Sequence, residues 1–511
     1  MQEKVLLLDF GGQYAELIAR RIREMNVYAE IRPFQSITTD EIRREGYRAL
    51  LFSGGPNSVT SEDAPHFDPA VLSLGIPILG ICYGHQLIAH MAGGIVESGT
   101  VSGEYGKIEV ETLASPLFHD IPERITTWMS HMDSVKTAPA GFRIIARSKG
   151  GVIAGLSDEG RKIYTLQFHP EVTHTDYGKA ILRNFLYRIA ECAGDWHVEN
   201  FITDSLEKYR NMLHGKKALL ALSGGVDSTV AAVLLNRAIG GDLTCVFVDH
   251  GLLRKNEGDI VEETLRSKFD MNIIRVNAKD RFLQKLSGIT EPEKKRKIIG
   301  EEFIRVFEAK AEELGKIEYL VQGTIYPDVI ESGTGNASVI KSHHNVGGLP
   351  KDIGFEGIIE PLRCLFKDEV RKVGSALGLP KEIVERQPFP GPGLAIRVIG
   401  EITEEKLRVL READAIFREE IDRAGLTERP DQYFAVLTNT MSVGVRGDMR
   451  SYGYILALRA VSTDDFMTAD WSRIPFEVLE KASDRITNEL KEISRVVYDI
   501  TSKPPATVEW E

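Results

Sequence analysis

Two short stretches of this chain combine reactive residue types with glycines that let the backbone place them. The first is Gly80-Ile81-Cys82-Tyr83-Gly84, a cysteine between the apolar run Pro77 to Ile81 and a helical pattern that starts at Tyr83. A cysteine on a sharp strand-to-helix turn has the form of a nucleophile elbow. Glycines two positions to either side tolerate the turn, and the helix N-terminus favours the thiolate. A nucleophilic thiol needs a base, and the base needs an orienting group. Leu166-Gln167-Phe168-His169-Pro170-Glu171 supplies both. In an extended segment His169 and Glu171 point to one side, so the carboxylate can hold the imidazole tautomer while the other ring nitrogen faces Cys82. A buried cysteine alone is commonly a small hydrophobe and a lone histidine is commonly structural. The three together, with the elbow, point to covalent catalysis.

The second stretch is Ser223-Gly224-Gly225-Val226-Asp227-Ser228. It follows the apolar run Ala218 to Leu222 and opens a buried helical pattern from Val226 to Ile239. Strand, glycine turn and helix start make a phosphate site. The glycines let the backbone approach an anion, the helix start offers unpaired N–H groups, and Ser223 and Ser228 add hydroxyls. Asp227 is available for a divalent cation. No lysine follows the glycines, so this is not the common GxxxxGK[ST] nucleotide loop.

Elements that must position these stretches read as follows. Strands are expected at Val5 to Phe10, Val27 to Ile31, Ala49 to Phe52 and Pro77 to Ile81, alternating with helices, which indicates a largely parallel α/β sheet. Ser53-Gly54-Gly55-Pro56 is another glycine turn at a strand's carboxyl end, where open α/β sheets place ligands. Beyond residue 192 the pattern restarts, with strands at Asp242 to Val248, Asn272 to Val276 and Glu318 to Val321. The end of the strand at Val248 lies beside that of Ala218 to Leu222 in a doubly wound sheet and is suited to the rest of a ligand whose phosphate the glycine turn holds. Thr290-Glu291-Pro292-Glu293 reads as a capped helix start. The basic run Lys294 to Lys297 after it is either a solvated helix face or a set of phosphate counter-charges. Residues 331 to 348, polar and glycine-flanked, read as a mobile lid. The turn-rich stretch Gln387 to Leu394 links to a smaller unit with helices at Thr403 to Ala424 and Pro475 to Leu490, and strands at Tyr433 to Leu437, Tyr454 to Ala460 and near Val496. The fold class is therefore two consecutive open, largely parallel α/β domains followed by a small α+β domain, with boundaries at 1–192, 193–390 and 391–511.

The 511 residues carry a net charge of −12 and 42% apolar side chains. That balance argues against a nonspecific nucleic-acid binder and against docking on anionic membrane. No signal peptide or membrane span is evident, so a cytoplasmic enzyme is expected. The four cysteines are too far apart in sequence for a CxxC-type zinc site.

SGGVDS resembles the fingerprint of the ATP pyrophosphatases, which hold a leaving pyrophosphate in this loop and transfer AMP to an acceptor oxygen. GGP, GICYGHQ and FHPE resemble the class I glutamine amidotransferases. That resemblance implies that Cys82 attacks the amide of glutamine, that His169 shuttles the proton, and that Glu171 orients His169. It implies an oxyanion site at the N–H groups of Gly55 and Tyr83, and glutamine contacts at Gln86, Ser130, His131 and Asp133; read alone, Asp133 is equally an exposed loop carboxylate. The order of these motifs with YPDVIES, KSHHN, PFPGPGLA and the final KPPATVEWE is similar to the glutamine-hydrolysing GMP synthetases over essentially the whole chain. Membership would imply adenylation of XMP by Mg-ATP followed by displacement of AMP by ammonia. The implied ATP contacts are Ser223, Gly224, Gly225, Val226, Asp227, Ser228, Val248 and Lys367, with Asp227 on Mg2+. The implied XMP contacts are Lys503, Thr507 and Glu509, and the implied assembly is a homodimer through the C-terminal domain. Trp510, an aromatic next to the last residue, is itself expected to anchor the end in apolar surface.

Two other readings compete. An NAD synthetase shares the pyrophosphatase loop, but its amidotransferase part is normally nitrilase-like, which GICYGHQ and FHPE count against. An RNA-modifying protein on the same nucleotide fold is disfavoured by the acidic charge and the lack of paired sulfur-carrying cysteines.

Overall fold

Apolar runs of four to six residues that end in glycine turns form buried parallel strands, because both faces of such a strand are covered by helices. The computed structural model describes residues 3–98, 103–333, 355–426, 430–463 and 468–511. Most of the 331–348 stretch read as a lid therefore lies outside the described residues. The chain divides into two compact units, one of residues 1–201 with 330–335 and one of 202–329 with 336–511.

The first unit is built on a nine-stranded sheet. Five strands run parallel, in the order Tyr28–Pro33, Lys4–Asp9, Ala49–Phe52, Ile78–Ile81 and Ile163–Leu166. Ile153–Asp158, Arg143–Ser148, Glu104–Thr112 and Arg124–His131 continue it antiparallel. Leu166 pairs with Ile81, so the residues after both strands emerge side by side at one sheet edge. Leu6, Leu8, Leu50, Phe52, Ile78 and Leu87 belong to its core.

In the second unit five parallel strands run in the order Ile273–Asn277, Leu243–Asp249, Ala218–Leu222, Tyr319–Val321, Gly357–Ile359. The glycine turn after Ala218–Leu222 leads directly into the helix Val226–Ile239. The helix after Glu291 runs from Pro292 to Leu314; proline occupies its first turn, where no amide partner is lost, and Glu291 makes no side-chain cap. Farther on, the hairpin Gln432–Arg446 with Met449–Ser462 pairs with Ile493–Asp499, and the helices Glu404–Arg423 and Phe476–Glu489 cover it. These strands extend well past Tyr433–Leu437 and Tyr454–Ala460. Gly447 and Asp448, both at positive φ, close the hairpin in the manner of a type I′ turn. One apolar core contains Leu219, Val246 and Phe282 of the parallel-sheet region together with Leu394, Leu410, Phe417, Leu456 and Ile493.

Candidate active site

Cys82 sits between the strand Ile78–Ile81 and the helix Tyr83–Met91 with φ 54° and ψ −103°, a strained backbone for a residue with a side chain. The flanking glycines are required by contact. A Cβ on Gly80 would lie 2.6 Å from the Gly84 carbonyl oxygen, and one on Gly84 would lie 2.4 Å from that of Phe52. The Cys82 N–H donates to the Leu166 carbonyl at 2.8 Å, which ties the elbow to the strand that carries His169.

His169 Nδ1 and Glu171 Oε1 are 2.6 Å apart, and both side chains are buried. The Tyr14 ring meets His169 edge-on at 4.9 Å, and the Thr175 hydroxyl donates to the His169 carbonyl at 2.6 Å. Burial by itself pulls the His169 pKa down; the Glu171 carboxylate, and then Cys82, pull it up further, so the ring holds its proton well above 6.5. A Cβ on Gly54 would touch both His169 Cε1, at 3.6 Å, and Cys82 Cβ, at 3.8 Å, so this glycine keeps open the approach to thiol and imidazole. Gly55 lies against the Tyr83 ring, 3.0 Å from where its Cβ would be. Tyr83 is the first helical residue, so its N–H has no partner within the helix. Of the expected glutamine contacts, the Ser130 carbonyl lies 3.8 Å from Cys82 Sγ. Asp133 is buried rather than an exposed loop carboxylate, and its backbone carbonyl accepts from Gln86 Nε2 at 2.8 Å and faces His131 Nδ1 at 2.9 Å. Gln167, which the sequence reading passed over, also faces the sulfur.

The second centre lies in the other unit. Ser223 and Ser228 hydroxyls are 2.9 Å apart, the Gly225 N–H donates to Ser223 Oγ at 3.3 Å, and Gly224 has φ +79°. Lys367 Nζ donates to both Asp227 carboxylate oxygens, at 2.8 and 2.6 Å. Gly323 closes on the helix start, its Cβ position 3.0 Å from the Ser228 nitrogen. Val248 is buried in the strand next to Ala218–Leu222. Arg386 donates to the Gly224 carbonyl at 3.0 Å and pairs with Glu257. Among the described residues no group of three or more His, Cys, Asp or Glu is arranged to hold a metal ion; Asp227 offers a single carboxylate.

The segment from Lys503 to Glu511 is held by buried cations. Arg397 makes a bidentate pair with Glu509, at 3.0 and 2.7 Å, and Gln432 Nε2 donates to the same carboxylate at 3.0 Å. Arg459 donates to the Thr507 and Val508 carbonyls at 2.8 Å each. The basic run 294–297 divides: Lys295 is fully buried and pairs with Glu511, Arg296 donates to the Glu511 carbonyl, and Lys294 and Lys297 pair on the surface with Glu291 and Glu301. The Thr507 hydroxyl donates to the Glu509 carbonyl. Lys503 pairs through its backbone with Ala469. The apolar anchor is Val508, packed with Phe434 and Val436. Trp510 stays partly exposed and its indole N–H donates to Asp499 at 3.0 Å, which corrects the expectation that it seats in apolar surface.

Comparison with known proteins adds three family matches: glutamine amidotransferase class-I over residues 6–189, NAD synthase over 198–391, and GMP synthase C terminal domain over 419–510. Relatives of similar length are named GMP synthase (glutamine-hydrolyzing). That of Ruminiclostridium cellulolyticum is 59% identical, covering 100% of this chain and 99% of the relative. That of Acetivibrio thermocellus is 60% identical with the same coverage, and that of Clostridium tetani is 58% identical with 100% of both chains covered.

Proposed function

Because the chain belongs to the glutamine-hydrolysing GMP synthase family, we propose that it makes GMP from XMP in two half-reactions, releasing ammonia at Cys82 and activating XMP at the Asp227 loop. The observation that carries this reading is the strained cysteine at a helix start facing a buried His169–Glu171 pair.

Cys82 Sγ attacks the side-chain carbonyl of glutamine. Gly55 and Tyr83 N–H groups meet the oxyanion of the tetrahedral intermediate. His169 takes the proton of the Cys82 thiol and gives it to the departing ammonia, and then as a base takes one from the water that hydrolyses the glutamyl thioester and returns it to the Cys82 sulfur. Gln86, Ser130, His131 and Asp133 hold the substrate. In the second half-reaction the turn Ser223-Gly224-Gly225-Val226-Asp227-Ser228 and Lys367 hold the pyrophosphate of ATP, with Val248 beside the adenosine. The 2-oxygen of XMP attacks the α-phosphorus, pyrophosphate leaves, and ammonia then displaces AMP at the ring carbon. Asp227 would hold Mg2+, an ion that needs only one or two protein carboxylates, and the ion would supply charge neutralisation on the phosphates. Lys503, Thr507 and Glu509 hold XMP.

Residues 1–192 act as the amidotransferase, 193–390 as the ATP pyrophosphatase and 391–511 as the XMP-binding and dimerisation region. A homodimer is supported by the exposed apolar side chains Met441, Val443, Val445 and Tyr452, which the strand register sets on one face of the long hairpin. The cytoplasm is the proposed location; all four cysteines are free, and among the described residues no helix is long and apolar enough to cross a membrane. The reading is tested by glutamine-dependent AMP release with XMP, with nicotinate adenine dinucleotide or with no acceptor. Stimulation by XMP is expected; its absence overturns the assignment.

A further inference from the structure

The strand register that ties the elbow to the His169 segment also sets an amide against the sulfur. Leu166 pairs with Ile81, so the next residues, Gln167 and Cys82, are neighbours across the sheet edge. His169 lies two positions on, past the end of the strand Ile163–Leu166. Gln167 is fully buried, and its Nε2 lies 3.9 Å from Cys82 Sγ, within reach of an N–H to sulfur contact.

Which end of the amide faces the sulfur follows from its partners. The Asp133 carbonyl only accepts, so the Gln86 atom 2.8 Å away is its NH2 group. That same nitrogen is 3.2 Å from Gln167 Oε1, which is therefore the oxygen. The NH2 of Gln167 is left to point at Cys82. A carbonyl thus fixes one amide, that amide fixes the next, and the second presents a donor to the nucleophile. The Ser130 carbonyl, 3.8 Å from the same sulfur, suits a thiol that donates. The Gln167 N–H suits the sulfur once its proton has gone, because donors bind anions more strongly than neutral acceptors.

We propose that Gln167 is a positioning residue for the Cys82 sulfur, donating an N–H to it in an orientation set by Gln86 and the Asp133 carbonyl. The proposal rests on the reading of Cys82 as the glutamine-attacking nucleophile.

The test uses the full chain with Gln167→Leu and, in case a branched side chain does not fit, the unbranched Gln167→Met. Glutaminase kcat should fall about 10- to 100-fold, the effect of one hydrogen bond to a charged group, while KM for glutamine stays within about twofold. Alkylation of Cys82 by iodoacetamide at fixed neutral pH should slow in parallel. GMP synthesis from ammonium chloride should be unchanged, and the melting transition of the first unit, which carries Gln167, should persist, which shows that the variants are folded. Gln86→Leu, which frees the amide to rotate, should give a smaller loss in alkylation rate. Unchanged alkylation and kcat in folded variants would overturn the proposal, and so would a raised KM with kcat intact, since that marks a substrate contact. If Cys82→Ala keeps glutamine-dependent synthesis, it is the underlying reading of Cys82 that fails.

Discussion

At the residue scale the amidotransferase centre is a problem in holding protons. Cys82→Ala should abolish GMP formation from glutamine and leave formation from ammonium chloride nearly intact; comparable loss with both nitrogen sources would make Cys82 structural. Glu171→Gln keeps the shape next to His169 but removes the charge that most raises the ring's pKa. It should cost about 10²- to 10⁴-fold in glutaminase kcat, as loss of the orienting carboxylate does in comparable triads. Its effect on stability has a definite sign. Because the folded His169 pKa is raised, the protonated pair contributes fully below the ordinary histidine value, and the contribution fades as pH rises through the folded value. The gap in Tm between parent and variant should therefore be widest from acidic to neutral pH and close in alkali; a gap independent of pH would point to packing. Cys82, His169 and Glu171 were legible in the sequence because chemistry and spacing coincide within short strings. Gln167 sits in one of those strings and was missed, since an amide has no titration or nucleophilicity of its own and acquires a role only through the strand register.

At the scale of elements, glycine turns gave the clearest signal. The strands Ala49–Phe52 and Ala218–Leu222 and the helix Val226–Ile239 fall where the apolar runs place them, because a buried parallel strand leaves no polar alternation to misread. Gly84→Ala tests the elbow: its Cβ would meet the Phe52 carbonyl, so the helix must move off the sheet. We expect a loss of about 1–3 kcal/mol in unfolding free energy together with loss of glutaminase activity; a fully active, equally stable variant would show that the turn adapts. The hairpin was harder to read. Its outer half carries exposed apolar residues mixed with polar ones, which blurs the period, so the expected strands stopped short. The run 294–297 was undecided for a related reason: charge says nothing about which of four basic residues a distant acidic segment will reach, and in the fold only Lys295 and Arg296 meet Glu511.

At the scale of the whole molecule, the cations beneath residues 507–511 alter what a truncation means. Deleting that segment strips partners from Arg397, Arg459 and Lys295, whose side chains are fully buried, and unpairing a buried charge costs about 3–5 kcal/mol. The truncated chain should melt markedly lower as well as lose XMP use. Lys503→Ala should raise the KM for XMP; unchanged XMP kinetics would remove Lys503 from the site. The shared core makes a further prediction. Residues 1–195 have their own core and should melt cooperatively as an isolated fragment, while 202–511 should give one transition and 202–390 alone should be insoluble; a soluble, folded 202–390 would show that the common core is dispensable. The break near residue 192 was legible in the sequence, but the shared core was not: the turn-rich stretch Gln387 to Leu394 looks like any linker and nothing marks Leu219 and Ile493 as members of one core. The same packing bears on how genes for such a molecule can be arranged. A break in the reading frame just before the helix Val198–Met212 would fall between two cores, so the amidotransferase is free to be encoded on its own. A break near residue 390 cuts through a single core, and the two products would have to find each other before either was folded.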